Sequence, residues 1–282
     1  MILSNSSFSD ISAYHARNEK CTYDRHNMHT HTSAELYCFL SGKCVYHVEG
    51  SAYLLQPGDI LLMRPAEAHY VETDPQYPYE RMYLNFDINI LTPLDRENAL
   101  MRPFFHRKAG TRNLYRASQL PSDSCRAYLR NMVRPGAERL AVLANLILLL
   151  QQICEAFDRN EDAPQPETVE YRIIRYINHN LGSALTIEDL CSRFFLSRTQ
   201  LCSRFKKATG TSVGRYVAVK RLLAARQLIR QGQKPTEIFA ACGYQDYASF
   251  YRAYVRCFGC SPKQDRDGQC PLLLENDWID IG

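Results

Sequence analysis

The chain has 282 residues, enough for about two domains that each bury a core of their own. Hydrophobic residues make up 45% and charged residues 23%, as in soluble globular proteins, and no apolar run reaches the roughly 18 residues that a membrane span needs. The net charge is +4, and the excess lies in residues 167–267, with 17 Lys and Arg against 8 Asp and Glu. Such a basic region is expected to bind an anionic partner such as DNA.

Targeting and cysteine patterns favour a reducing cytoplasm. The first ten residues contain neither the positive charge nor the apolar stretch of a secretion signal. The eleven cysteines are odd in number and scattered, which argues against a disulfide framework. Cys257 and Cys260 form an isolated CxxC pair, at most half of a zinc site, and the pair is interpreted as incidental.

Short strands are predicted between residues 20 and 90. The segments 35–40, 43–49 and 59–63 are rich in β-branched and aromatic residues. Gly42, Gly50 and Gly58 separate them at points where the chain must turn. The pattern predicts a sandwich or barrel built from hairpins.

Residues 120–158 are predicted to be helical. Apolar residues recur there at three- and four-residue steps and form one stripe: Leu140, Leu143, Leu146, Ile147, Leu150 and Ile153. The stripe either packs on the barrel or forms the seam of a dimer, because Leu148 and Leu149 make it wider than one contact requires. Both interpretations stay open on the sequence.

A polar, proline-bearing segment at 158–167 is predicted to be a linker. It divides the chain into an amino-terminal domain at 1–157 and a helical domain at 168–267. The tail at 268–282 contains the only tryptophan, Trp278, and receives no assignment.

The carboxy-terminal region repeats itself with an offset of 49 residues, which indicates two copies of one structural unit. The matched pairs are Glu188 with Glu237, Phe195 with Tyr244, Leu201 with Phe250, Phe205 with Tyr254, Gly210 with Gly259 and Ser212 with Ser261. In the first copy, Thr186 and Ser197 are placed to cap two successive helices, the pattern of a helix-turn-helix.

The second copy has the same pattern. Pro235 opens a helix that is predicted to include Ala241, Gly243 turns the chain, and Asp246 caps the next helix. The segment 212–230 between the copies is predicted to be one rigid helix, roughly 25–30 Å long at 1.5 Å per residue. That length is compatible with two recognition helices about one DNA turn apart, near 34 Å.

Residues 170–266 resemble the DNA-binding domain of the AraC-type (arabinose-regulator) family. The segments that carry the resemblance are 185–190 (LTIEDL), 196–210 (LSRTQLCSRFKKATG) and 238–262 (IFAACGYQDYASFYRAYVRCFGCSP). The resemblance implies that both recognition helices enter adjacent major grooves of DNA. By position, the implied base-edge contacts are Thr199, Cys202, Ser203, Ala248, Ser249 and Arg252. The implied phosphate contacts are Arg198, Lys206, Lys207, Tyr247 and Arg256.

Two features of this sequence depart from the family pattern. Cys202 and Ser203 are small where long polar side chains are common, so the first recognition helix is expected to discriminate weakly between bases. Asp265 stands where the family usually has an aromatic residue. Arg252 is the strongest candidate reader, because arginine binds guanine O6 and N7 with two hydrogen bonds.

The amino-terminal domain contains most of a cupin metal motif. His29, His31 and Glu35 fit its first part, and His69 fits its second, although Arg64 and Ala66 replace the usual proline and glycine. The set is suited to a divalent transition metal, but AraC-type regulators commonly keep it as pocket lining. The effector pocket is therefore assigned to His29, His31, Glu35, Tyr37 and His69. A bound metal stays an alternative, and no cofactor is required.

The sequence thus predicts an α+β chain with a cupin-like β-barrel, a helical dimerisation segment and an all-α domain of two helix-turn-helix units. The expected function is a ligand-responsive, DNA-binding transcriptional regulator, not an enzyme. Promoter DNA, a second copy of the chain, a small effector such as a sugar and, for an activator, RNA polymerase are the expected partners. The rival hypotheses are a cupin metalloenzyme with a basic accessory domain and a regulator whose barrel only dimerises.

Overall fold

The computed structural model describes residues 1–19, 28–159 and 168–270, which divide into two compact units. The amino-terminal unit comprises the described residues up to 159 except the short segment 28–30, which groups with the carboxy-terminal unit of residues 168–270. Most of the predicted linker and Trp278 lie outside the described residues. Strands dominate the first unit and helices form the second, so the predicted α+β class is confirmed.

Among the described residues of the amino-terminal unit, nine strands form two antiparallel sheets. They are β1 (Ile2–Ser7), β2 (Ile11–Asn18), β3 (Ala34–Ser41), β4 (Cys44–Val48), β5 (Ser51–Leu54), β6 (Ile60–Met63), β7 (His69–Thr73), β8 (Tyr79–Phe86) and β9 (Leu114–Tyr115). The larger sheet has the order β1-β2-β8-β3-β6-β9 and the smaller one β5-β4-β7. The three predicted strands correspond to β3, β4 and β6.

Alternation along β3 shows how the larger sheet is buried on both faces. Tyr37 and Phe39 belong to a core shared with Tyr46 and Tyr53 of the smaller sheet. Their neighbours Leu36 and Cys38 belong to a second core on the opposite face. Since side chains of a strand alternate between the two faces, one strand supplies both cores.

Three helices accompany the sheets: α1 (Arg102–Phe105), α2 (Ser122–Met132) and α3 (Arg139–Arg159). The buried face of α3 includes Leu143, Leu146, Leu150 and Ile153, as the predicted stripe requires. Leu140 was wrongly included in that stripe: it is 74% exposed, because its position on the helix faces away from the sheet. Length and composition alone would let α3 cross a membrane, but half of its apolar window is buried inside the protein, as in a core helix.

Seven helices form the carboxy-terminal unit. They are α4 (Val169–His179), α5 (Ile187–Phe194), α6 (Arg198–Thr209), α7 (Val213–Arg230), α8 (Pro235–Ile238), α9 (Tyr247–Phe258) and α10 (Pro262–Arg266). The predicted connecting helix is α7, with Ser212 as its N-cap. Ala241 was wrongly placed in a helix, because α8 ends at Ile238 and the chain turns before Gly243.

The cysteines differ from the sequence-based expectation at one place. Cys260 is joined by a disulfide to Cys270, ten residues further on, and Cys257 of the CxxC pair stays free. A single short-range bridge of this kind cannot be recognised from an odd and scattered set of cysteines.

Candidate DNA-binding and ligand-binding sites

The two recognition helices, α6 and α9, have the same length, and each has a side-chain cap at its start and a glycine at its end, 49 residues apart. Each has 12 residues and ends at a glycine in the left-handed conformation, Gly210 or Gly259. Ser197 accepts a hydrogen bond from the backbone N–H of Gln200, and Asp246 accepts one from Ser249. These caps satisfy amide groups that a helix start otherwise leaves unpaired. The predicted repeat is therefore present in three dimensions.

The outward face of α6 carries the predicted contact residues. Thr199, Cys202, Ser203 and Lys206 are exposed, while Leu201 and Phe205 are fully buried. Arg198 forms an ion pair with Glu188 of α5, Nη1 to Oε1 2.9 Å, and both side chains are largely exposed. An exposed pair of this kind contributes little to stability.

The outward face of α9 presents Ala248, Arg252 and Arg256 to solvent. Arg252 Nη2 donates a hydrogen bond to Ser249 Oγ at 3.2 Å, so the half-buried Ser249 positions the guanidinium along the helix. Tyr247 is half-buried against Phe239 and Phe250, and burial raises the pKa of its phenol. Tyr247 is thus fixed by packing, whereas the side chains of Arg252 and Arg256 are exposed to solvent.

Asp265 is a structural residue that sequence reasoning left without a role. It is 3% exposed and accepts hydrogen bonds from three side chains: Arg226 Nε at 2.5 Å, Arg230 Nε at 2.9 Å and Tyr254 Oη at 2.6 Å. Burial alone would raise the pKa of Asp265, but the Tyr254 hydrogen bond and the two arginine charges outweigh it and lower the pKa. Asp265 therefore ties α10 to α7 and to the recognition helix α9.

In the amino-terminal unit, three of the predicted pocket residues converge on one point. Glu35 Oε2 lies 2.9 Å from His31 Nε2 and 2.9 Å from His69 Nε2, and the two imidazole nitrogens are 3.1 Å apart. Glu35 on β3 and His69 on β7 are buried, and His31 is half-buried. The cluster thus brings together two imidazoles and a carboxylate from both sheets.

The hydrogen bond at the far side of His69 determines what this cluster can bind. His69 Nδ1 donates to the backbone carbonyl of Glu67 at 2.7 Å, which directs Nε2 towards Glu35. Burial alone would lower the pKa of His69, but the Glu35 carboxylate outweighs it and raises the pKa. Two imidazole nitrogens beside a carboxylate need a proton or a cation among them. The donor set and the orienting hydrogen bond fit a divalent transition metal.

Two more residues were predicted for the pocket, His29 and Tyr37. His29 belongs to the short segment that groups with the carboxy-terminal unit. Tyr37 is buried, forms a hydrogen bond with Tyr79 and contacts Tyr46 at 4.7 Å between ring centroids. Tyr46 in turn stacks on His69 at 5.9 Å. The tyrosines thus connect the His/Glu cluster to the core between the sheets.

Both units match families of known proteins. The family described as an AraC-like ligand binding domain matches residues 12–163, more than half of the chain. The chain belongs to the AraC family. A second family, described as a helix-turn-helix domain, matches residues 190–268, which contain α6 and α9. The AraC-family protein is accordingly a ligand-responsive, DNA-binding transcriptional regulator, as the sequence predicted.

Curated relatives of this AraC-family protein are transcriptional regulators. The Msm operon regulatory protein of Streptococcus mutans is 24% identical over 264 residues, covering 91% of this chain and 92% of the relative. The transcriptional activator RhaS of Escherichia fergusonii is 25% identical over 259 residues, covering 86% and 87%. The probable transcriptional regulator LumQ of Photobacterium leiognathi is 36% identical over 91 residues, covering 32% and 37%.

Proposed function

We propose that this protein is a cytoplasmic, homodimeric activator that reads one promoter site with both recognition helices. The observation that carries the proposal is the repeated geometry of α6 and α9: both have 12 residues, a side-chain cap at the start, a left-handed glycine at the end and exposed polar residues on the outward face. The connecting helix α7 has 18 residues and is therefore about 27 Å long, compatible with two contacts one DNA turn apart. The activator role is proposed by analogy with RhaS and implies contact with RNA polymerase.

The proposed contacts divide into two kinds. Base edges are assigned to Thr199, Cys202, Ser203, Ala248, Ser249 and Arg252, all exposed except the half-buried Ser249. Phosphate contacts are assigned to Arg198, Lys206, Lys207, Tyr247 and Arg256, since contacts of this kind position a protein without reading sequence. Of the two helices, α9 carries the longer polar reader and is the more selective one.

Replacing Arg252 by alanine is expected to cost about 1–3 kcal/mol of discrimination at one base pair, because a bidentate arginine–guanine contact is lost. Competition binding against every single-base variant of the bound site, at one fixed salt concentration, measures this loss. The matched control is Lys206→Ala, a change at an exposed lysine of α6 that is expected to weaken all variants about equally. Equal profiles for the two variants would contradict the assignment of Arg252.

The dimer is proposed to form through the outward face of α3. Leu140 and Leu148 are exposed there, eight residues apart, while Leu146 and Leu150 are buried against the sheet. Residues eight apart lie on one side of a helix, so the two leucines share an apolar face that a second copy can cover. A dimer would also present two DNA-binding units to one promoter.

The effector is proposed to be a small polar molecule, with a sugar as the first candidate. The core between the two sheets contains buried tyrosines. Tyrosine rings can stack on a sugar, and their hydroxyl groups can hydrogen-bond with it. Effector binding would favour one of two states of the regulator, which requires different affinities for the two.

We further propose that His31, Glu35 and His69 hold one divalent transition metal ion, which would supply a positively charged anchor for oxygen atoms of the effector. Full-length protein is expected to bind about one Co²⁺ per chain, visible in the absorption spectrum. Glu35→Gln should weaken that binding by at least 10–100-fold, roughly the effect of losing an outer partner of a metal ligand. The matched control His47→Gln, a histidine stacked on Tyr70 away from the cluster, should leave it unchanged. Absence of Co²⁺ binding, or equal loss in both variants, would contradict the metal site.

A further inference from the structure

The disulfide between Cys260 and Cys270 encloses α10, the last described helix. Cys260 directly follows Gly259, where recognition helix α9 ends, and Ser261 then caps α10. Cys260 is half-buried, and Cys270 is 7% exposed. The bridge therefore fixes both ends of the segment that leads away from the second recognition helix.

The enclosed segment carries the Asp265 network. Asp265 accepts hydrogen bonds from Arg226 of α7 and from Tyr254 of α9, and Arg226 Nη2 also donates to Cys270 Sγ at 3.5 Å. α10 has only five residues, and a helix of this length is not stable by itself in water. Its position, and with it the support of α9, thus depends on these hydrogen bonds and on the bridge.

A disulfide is unexpected in a protein that binds DNA. DNA-binding regulators work in a compartment that keeps thiols reduced, where disulfides are usually transient and catalytic or redox-sensing. We propose that Cys260 and Cys270 form a reversible thiol–disulfide site, through which low-molecular-weight disulfides and thiols adjust DNA binding by α9.

The Cys260–Cys270 bridge can form by thiol–disulfide exchange with a small disulfide of the glutathione type, which is the oxidant. The thiolate of Cys260, the more exposed partner, attacks one sulfur of the small disulfide and releases one small thiol. The thiolate of Cys270 then attacks Cys260 Sγ in the mixed disulfide and releases the second small thiol. Two protein thiols are oxidised, one small disulfide is reduced to two thiols, and the two protons go to the released thiols. Reduction by excess thiol runs the same steps backwards.

Cys257 provides a matched control for this pair. It lies three residues before Cys260 in the same CxxC sequence, but it is free in the structure. Burial raises the pKa of the Cys257 thiol to about 11, so little of it is thiolate near neutral pH. Because the thiolate is the nucleophile in disulfide exchange, Cys257 is not expected to take part.

The test compares full-length wild-type protein with Cys260→Ser, Cys270→Ser and Cys257→Ser in reduced and oxidised glutathione. The readout is Kd for a duplex that the wild-type protein selects from a random pool. Reduction is expected to weaken wild-type binding about tenfold, similar to the loss of one good base contact. Cys260→Ser and Cys270→Ser should bind like the reduced wild type in both buffers, and Cys257→Ser should respond like the wild type. Cys202→Ser removes the exposed thiol on the α6 face and should keep the same oxidised-to-reduced ratio.

Peptide mapping after alkylation tests the bridge without DNA and separates this proposal from the proposed function. A Cys260–Cys270 cross-link that forms in oxidised glutathione and opens with excess thiol is the expected result. The proposal is overturned if that cross-link does not form, if wild-type affinity is the same in both buffers, or if both serine variants still respond. If the protein selects no duplex at all, promoter recognition fails. Two measurements then still test whether the thiol–disulfide site exists: the peptide mapping and the Tm. We expect reduction to lower the Tm of the wild type but not that of Cys270→Ser.

Discussion

Replacing Asp265 by asparagine is expected to lower the free energy of unfolding of the carboxy-terminal unit by about 3–5 kcal/mol. The change leaves the buried Arg226 guanidinium, 2% exposed at its side chain, without its negative partner. Urea unfolding followed by circular dichroism measures the loss. The matched control is Asp267→Asn, two residues on: Asp267 is partly exposed and pairs with Arg266 at 3.1 Å, so its loss should cost less than about 1 kcal/mol. Equal effects of the two changes would contradict the role of Asp265.

Asp265 is also expected to make the free energy of unfolding depend on pH. The pKa of Asp265 is lowered in the folded protein, so its carboxylate stabilises the fold fully above the pKa of an unfolded aspartate, about 4. This stability is lost as the pH falls through the lower folded value. The difference in unfolding free energy between the wild type and Asp265→Asn should therefore be largest near neutral pH and shrink below about pH 4. A difference that grows on acidification would contradict this account.

Replacing Arg107 by methionine is expected to destabilise the amino-terminal unit by about 3–5 kcal/mol. Arg107 forms two hydrogen bonds of 2.7 Å with the Glu67 carboxylate, and both side chains are 0% exposed. Removing the arginine leaves a buried carboxylate beside the His69 position. The matched control is Arg102→Met, which breaks an equally bidentate pair with Asp158, with two bonds of 2.9 Å at the surface. Because this pair is exposed to solvent, that change should leave the free energy of unfolding nearly unchanged.

Urea unfolding measures the difference in stability between Arg107→Met and Arg102→Met. The double variant Arg107→Met/Glu67→Gln tests the cause of this difference. Because it removes both charges, it should be more stable than Arg107→Met alone. A double variant that is no more stable than the single one would show that packing, not the unpaired carboxylate, accounts for the loss.

The helix-turn-helix units could be predicted because local rules define them. Thr186, Ser197 and Asp246 all cap the helices that the sequence assigned to them, and the glycine at the end of each recognition helix was visible in the repeat. Caps and turns depend on neighbours a few residues away, so they can be read from one sequence. The strands β3, β4 and β6 were also predictable from local sequence, because each is a short segment rich in β-branched and aromatic residues next to a glycine turn.

Long-range pairs could not be predicted. Arg107 and Glu67 are 40 residues apart, and Arg226 and Asp265 are 39 apart. Neither pair has a periodic pattern, and in the sequence each residue resembles a solvated charge. The motif His31, Glu35 and His69 was recognised only because its spacing matches a known family. Leu140 shows that a local pattern can also mislead. Its helical spacing fits the apolar stripe of α3, but the packing of α3 leaves its side chain exposed.

We propose that both α6 and α9 of this AraC-family protein read one DNA site. Selection of duplexes by the full-length protein from a random pool, at one stated salt concentration, tests this proposal. We expect an enriched site with two major-groove elements about ten base pairs apart, one for each recognition helix. Enrichment of a single element, or salt-sensitive binding without any enriched sequence, would contradict it.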